Sequence, residues 1–513
     1  MWRWPSSRTV VTGIAVVLFI VCCVLPVVHL LTVPLSTGDV SYRALWLDAR
    51  QQGLLWNTAR LGAGAALLAT VLGAPLGLAL ARIALRGKAL LRIVLAAPVV
   101  LPPYVVALAW TYLGSSIDTE WTYSLPAAIV VLGLVFYPLS MLATEVALRR
   151  IDGRLEEAAV LSAPAYFVLR RITLPLAAPS VLAAALVIFV LSVSEFGVPG
   201  LLRVRVYTTE VFTAFAALYD FSRAVLLAVP LLVLCLIVAI VAAVLAGDRL
   251  VSTRRGSGTR PALLQEWQKP AGAAAITAAV IALGLPVIVL AREALRAESL
   301  PAIVEGSGSA IANSLRLATI GATAVVGLAV WLGYARARAR GRFGQFADVV
   351  FVVAFAVPST IVGVGLIGLW NRPGFVGALY GTDVMFILGY LARFVPVAAL
   401  AIAATTRYVP VSHEEAAAVS GAGWLRTMTR IVLPQIRLGL LIAWVIAFVL
   451  AFGELGVSIL VAPPGEATLP IRIYTIIANT PPSHVAALAL LQTAVILSPL
   501  AVLGTALSFR ERR

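Results

Sequence analysis

The chain has 513 residues, of which 61% are hydrophobic and 12% charged, far from the half-apolar, quarter-charged balance of a water-soluble domain. That composition excludes a soluble globular protein and makes lipid the solvent. The formal charge of +16 does not signal nucleic acid, because the basic residues stand in short clusters between apolar runs, where cytoplasmic loops of membrane proteins concentrate Lys and Arg.

In chain order, the apolar run Val10 to Val33 follows Arg3 and Arg8. It is too long for a removable signal peptide and reads as the first span. Further runs long enough for a hydrocarbon layer of ~30 Å fall near 59–81, 93–113, 126–147, 176–199 and 222–246. A polar stretch, 247–270, with Asp248, Arg254, Arg255 and Gly256, then separates this half from a second set near 271–291, 314–335, 347–370, 383–405, 435–461 and 484–508. The expected fold is all-α: two tandem six-helix membrane domains, 1–246 and 271–513, joined by a linker. Cys22, Cys23 and Cys235 lie inside apolar runs without metal-like spacing and read as packed or lipid-facing side chains.

The halves repeat. Pro26 pairs with Pro286, Asn57 with Asn313, Pro102 with Pro358, Pro138 with Pro396, Pro175 with Pro434 and Glu195 with Glu454, at a shift that stays between 256 and 260. An even number of spans per repeat makes both halves enter from one side, so a pseudo-two-fold axis runs along the membrane normal with the pathway on it. Most of the 39 Lys and Arg fall at the N-terminus, in 82–92, 149–171, 249–269, 336–342 and 407–437, and at Arg510, Arg512 and Arg513. These segments are expected to face the cytoplasm of a cell inner membrane, with both termini inside.

Between the fourth and fifth spans of the second half lies EEAAAVSGAGWLRTMTRIVLP, from Glu414. Ser412 with Glu415 three residues later reads as a capping box opening a short helix. Ala416, Ala417 and Ala418 give it a small-residue surface that another protein can approach, Gly421 and Gly423 permit a sharp exit, and Pro434 suits the first turn of the next span. The first half answers with EEAAVLSAPAYFVLRRITLP from Glu156, with Asp152 as N-cap and Pro175 opening the next span. Two knobs imply two docking partners.

The spacing Glu-Ala-Ala, three residues, Gly, nine residues, Ile-x-Leu-Pro resembles the signature loop of importer-type ABC permeases. Glu415, Ala416, Ala417, Gly421, Ile431, Leu433 and Pro434 match every position. The ungapped first-half register gives Glu156, Glu157, Ala158, Ser162, Ile172, Leu174 and Pro175; a one-residue deletion instead gives Glu157, Ala158 and Ala159 with Ala163 at the Gly position. The resemblance implies that both knobs are coupling helices seated in clefts of two copies of a separate ATPase. The chain has no Gly-rich loop ending in Gly-Lys-Ser/Thr, so it is not expected to be an enzyme or to bind a cofactor itself. ATP and Mg belong on the partner, whose closure would switch the bundle between outward-open and inward-open states.

Ser194 to Val198 (SEFGV), Tyr207 to Glu210 (YTTE) and Gly453 to Val457 (GELGV), in a fused architecture, resemble ferric-iron permeases; thiamine, 2-aminoethylphosphonate, polyamine, sulfate and molybdate permeases are also similar. An external binding protein would carry most of the selectivity. Glu195 and Glu454 stand 20 residues beyond Pro175 and Pro434, about 30 Å along a helix, near the outer surface; they either line a shared vestibule or are ordinary solvated carboxylates. Pro102, Pro103 and Pro358 either hinge the path or kink a packed helix. His29, His413 and His484 are scattered, and no metal site is expected. An ion-gradient transporter, the competing class, would carry carboxylates at span centres; Arg393 is the clearest ionisable residue there, and that scheme leaves the paired loops unexplained.

Overall fold

The computed structural model describes residues 7–36, 48–85, 87–114, 117, 119–246, 265–339 and 341–511. Most of the expected linker, with Asp248, Arg254, Arg255 and Gly256, lies outside these residues, as do Arg3, Arg512 and Arg513. Among the described residues every regular element is helical, and the all-α expectation holds.

Five continuous helices of the first half are long and apolar enough to cross a membrane: Ser7–Thr32, Ala49–Arg82, Leu125–Arg150, Ala165–Ser194 and Phe221–Leu245. Four in the second half do the same: Gln268–Ala294, Gly308–Arg338, Val384–Thr406 and Pro482–Val502. The remaining spans are bent pairs. Lys88–Val100 with Pro103–Gly114, and Gly341–Ala356 with Ser359–Trp370, turn by 90°; Trp424–Gln435 with Arg437–Phe452 turns by 76°. Counted once each, the pairs complete six spans per half, numbered 1 to 12 below.

Side-chain ties show which span ends share a face. Arg82, ending span 2, is ion-paired to Glu156 in the loop after span 4, so spans 2 and 4 end together and the bent pair between them makes one net crossing. The other end of span 2 is tied elsewhere: Asn57 donates to the carbonyl of Arg205, and the amide of Tyr207 donates to Thr58, both partners lying beyond span 5. The second half repeats this, with Arg338 on Glu414, Asn313 on Glu466 and the amide of Leu469 on Ser314. Arg8, at the start of span 1, lies over the Tyr334 ring near the Arg338 end. Tyr112 donates to the carbonyl of Pro482 at the opposite face, so span 12 runs back toward the knobs. Both ends of the described chain therefore lie on the knob face.

The repeated prolines have a common local cause for being tolerated. One π-helical turn stands before each of four of them: Ile20–Val24 before Pro26, Leu169–Thr173 before Pro175, Val280–Gly284 before Pro286 and Met428–Val432 before Pro434. In every case the intervening Leu (Leu25, Leu174, Leu285, Leu433) donates its N–H five residues back. A proline lacks the N–H for the i−4 bond and crowds that carbonyl; the wider turn absorbs both defects. This corrects the expectation that Pro175 and Pro434 open their spans: the helices begin earlier, at Ala165 and Trp424.

Spans 2 and 4 pack most intimately because small residues let backbones meet. A methyl added at Gly77 would strike the carbonyl of Met141, and one at Gly333, the repeat equivalent, would lie 2.8 Å from the carbonyl of Ala399 on span 10. Span 1 packs largely against the other half. Phe19 meets Phe351 edge-on with ring centroids 5.5 Å apart, Cys23 donates to Leu391 O at 3.5 Å, and His29 lies 3.1 Å from Gly368 O. Span 7 reciprocates against spans 2 and 3, with Gln268 donating to Ala84 O at 2.7 Å. Sequence halves and spatial bundles thus diverge at their first spans.

Candidate functional site

The loop after span 4 forms a helix, Gly153–Val160, and the loop after span 10 forms Val411–Val419. Asp152 caps the first by accepting the Arg154 N–H at 3.1 Å, as expected. The expected Ser412/Glu415 capping box is corrected. The second helix starts after Pro410, whose extended conformation (φ −60°, ψ 137°) ends the preceding turn, and Ser412 lies inside the helix.

Each knob is fastened to the end of the second span of its half. Glu156 is fully enclosed with Arg82, at 2.8 Å, and also accepts from Thr173 at 2.9 Å. Glu414 accepts from Arg338 Nε at 2.9 Å and from Tyr334 Oη at 2.7 Å, and Trp424 Nε1 donates to the same Tyr334 oxygen at 3.3 Å. These pairs equate Glu156 with Glu414. They select the first-half register with the deletion, in which Glu157, Ala158 and Ala159 match Glu415, Ala416 and Ala417, and Ala163 stands where Gly421 does.

Glu156 and Ala417 are therefore inward anchors, a correction to their expected place on the docking surface. Glu415, Ala416, Gly421, Ala158 and Ser162 are exposed, while Glu157, Ala159 and Ala163 are half-buried. The tips are apolar and open, Leu161 at 89% and Val419 at 90% exposure. The exits differ. Gly421 has φ +78°, the Gly421 N–H donates to Ala418 O, and the Ala422 N–H donates to Ala417 O; this is the glycine C-terminal cap that a Cβ would strain. Ala163 instead precedes Pro164, which starts the next helix in extended geometry (φ −59°, ψ 148°).

A second constellation gathers the candidate path residues. Glu195 caps the end of span 5, accepting from Gly197 N–H at 2.9 Å. Glu454 ends span 11 in the same manner, accepting from Val457 N–H at 3.0 Å. Because each carboxylate takes a downstream amide, both helices stop short of the expected ends at 199 and 461. Pro102 and Pro358 sit at the two 90° breaks. Pro102 touches the other half: a methyl added at Gly453 would lie 2.9 Å from its Cγ. Arg393 closes the group, donating to Val357 O beside Pro358 at 2.8 Å and standing 3.9 Å from Glu454. Glu195 is within electrostatic reach of both Glu454 and Arg393. Glu454 is buried and Glu195 half-buried, so the solvated reading is corrected for Glu454, which stands near one guanidinium where the halves join.

Sequence reading missed Arg82 and Arg338, which share the 256-residue repeat shift and would have extended the landmark series. It also missed Gln492, which accepts from the enclosed Tyr104 and donates to Phe452 O at 3.4 Å; an amide side chain in the middle of an apolar span was the signal. His413 contacts Gln435 at 3.2 Å and His29 contacts Arg372 at 2.9 Å. Among the described residues no three His, Cys, Asp or Glu side chains are grouped as a metal site.

Comparison with known proteins agrees with the repeat. The family model described as binding-protein-dependent transport system inner membrane component matches twice, over residues 73–251 and 325–510. The chain is 24% identical over 460 residues to the Fe(3+)-transport system permease protein FbpB 2 of Haemophilus influenzae, covering 88% of this chain and 89% of the relative. It is 26% identical over 428 residues to the ferric transport system permease protein FbpB of Actinobacillus pleuropneumoniae, covering 75% and 61%. It is 31% identical over 158 residues to the molybdenum transport system permease protein ModB of Escherichia coli, covering 28% and 69%. Each family match spans one knob and the break that feeds the central carboxylates, so the chain belongs, in both halves, to the binding-protein-dependent transport system inner membrane components.

Proposed function

We propose that this chain forms the translocation path of an ATP-driven importer of ferric iron and carries the levers that work it. Two copies of a separate ATPase, holding ATP and Mg, seat the helices Gly153–Val160 and Val411–Val419; the knob face is cytoplasmic, and an extracytoplasmic binding protein delivers substrate to the other face. The observation that carries this reading is the matched anchorage of the knobs, Arg82 on Glu156 and Arg338 on Glu414.

The geometry explains how force would travel. From Thr58 to Arg82 span 2 is an uninterrupted helix, about 37 Å long. Displacing the first knob moves this rod, and its far end holds the loop after span 5 through Asn57 and Thr58. That loop begins at Glu195. Span 8 couples the second knob to Glu466 and Leu469 in the same way. Approach of the ATPases therefore shifts the Glu195–Arg393–Glu454 junction, where the path opens or closes. Fused ferric relatives matched along most of the chain support iron over the shorter molybdenum match.

The test is reconstitution of the chain with its ATPase in liposomes, with binding protein loaded with ferric iron, molybdate or putrescine in turn. ATP-dependent uptake of iron alone is expected. Uptake of another solute would overturn the substrate, and uptake without ATPase under an ion gradient would overturn the transport class.

A further inference from the structure

Between spans 4, 5 and 6 and the leg Gly341–Ala356 of the second half lies a cleft of about 350 Å³. Leu139, Ala143, Val187 and Val352 are among its apolar walls, and its polar groups are Arg150 and Ser180. Leu139 to Arg150 is eleven residues of one helix, about 16 Å. Arg150 ends span 4 on the knob face. The cleft is thus an apolar slot running into the membrane from a cationic mouth at headgroup depth.

Those walls suit neither a metal ion nor its hydrated complex, because an unpaired charge in an apolar slot loses its hydration without replacement. An acyl chain loses nothing there, and a phosphate at the mouth meets a guanidinium suited to it. We propose that this cleft binds one anionic phospholipid, with a chain between spans 4 and 5 and its phosphate on Arg150. The repeat supplies an internal control. Val397, Ala401, Ala443 and Ile446 occupy the equivalent positions in spans 10 and 11, enclose only about 10 Å³, and Tyr408 stands in place of Arg150. The same helix pair closes up in the second half, where the cation nearest this position, Arg407, lies one residue earlier. Val352 belongs to the leg that bends at Pro358, so the lipid joins the two halves beside the path. This site is independent of the proposed substrate.

The experiment is native mass spectrometry of the purified full chain titrated with phosphatidylglycerol or with phosphatidylcholine. One tightly held phosphatidylglycerol is expected. Arg150→Gln should weaken it about fivefold and leave phosphatidylcholine unaffected, and Ala184→Phe, which fills the slot, should abolish it. Equal retention by the wild type and Arg150→Gln, equal binding of the two lipids, or release of the lipid by ferric citrate would overturn the proposal. On the unaltered chain, phosphatidylglycerol bearing a diazirine at the chain end should label span 4 near Leu139; labelling confined to other spans would also overturn it.

Discussion

Arg82 and Glu156 form an ion pair with both side chains wholly enclosed, 74 residues apart in sequence and at the root of a helix whose outer face is open. Removing one partner strands the other charge in the interior, which costs about 3 to 5 kcal/mol. Glu156→Gln is therefore expected to lower the unfolding temperature and speed tryptic cleavage after the already exposed Arg154. Glu414→Gln, where Glu414 is 16% and Arg338 10% exposed, should cost less, roughly 1 to 3 kcal/mol. Thermal unfolding of the two variants side by side measures the difference; equal losses would contradict the unequal burial.

Gly421→Ala tests the exit of the second knob. No atom lies within 4 Å of the position a Cβ would take, so the penalty is conformational alone, about 1 kcal/mol from the left-handed backbone. The expected result is weakened ATPase co-purification with little change in thermal stability. Ala163→Gly, where no positive φ is needed, should leave association unchanged.

At the junction of the halves, Gly453→Val should block transport while both knobs still bind ATPase, because the added carbons meet Pro102 across the interface. Uptake assays paired with ATPase pull-down separate the effects. Preserved uptake would show that the two halves do not need this close approach.

Arg393→Met leaves Glu454 buried beside Glu195 with no cation. Loss of uptake is expected, with partial rescue by Glu454→Gln in the same chain, since that second change removes the unpaired charge. Glu195→Gln with Glu454→Gln in an otherwise unaltered chain should also impair uptake; unchanged uptake would discard these carboxylates as part of the path.

Much of this architecture was legible because apolar run length and repeated landmarks are local signals. The run of apolar membrane helices, the Asp152 cap and the sharp exit at Gly421 all follow from short windows of sequence. What escaped was set by contacts between distant segments. Nothing near Glu156 shows that it turns inward to Arg82, and nothing in span 1 shows that Phe19 meets Phe351. The prolines misled in a specific way: each reads as a helix start, yet a π-turn two residues upstream lets the helix begin earlier, running straight on at Pro175 and bending by 76° just after Pro434. Pro102 and Pro358 occur in similarly apolar surroundings and sit at breaks of 90°, with Pro102 close to Gly453 and the carbonyl of Val357 held by Arg393.

The seating of the first helix against the second half has a consequence for synthesis. Phe351 and Leu391, which Phe19 and Cys23 contact, leave the ribosome more than 300 residues later, roughly 20 to 70 s at ordinary elongation rates. Throughout that interval the earliest segment to be inserted waits among lipids without its mate. In a nascent chain stopped at the linker, the first helix would have span 6 of its own half to lean on but none of its contacts with the second half.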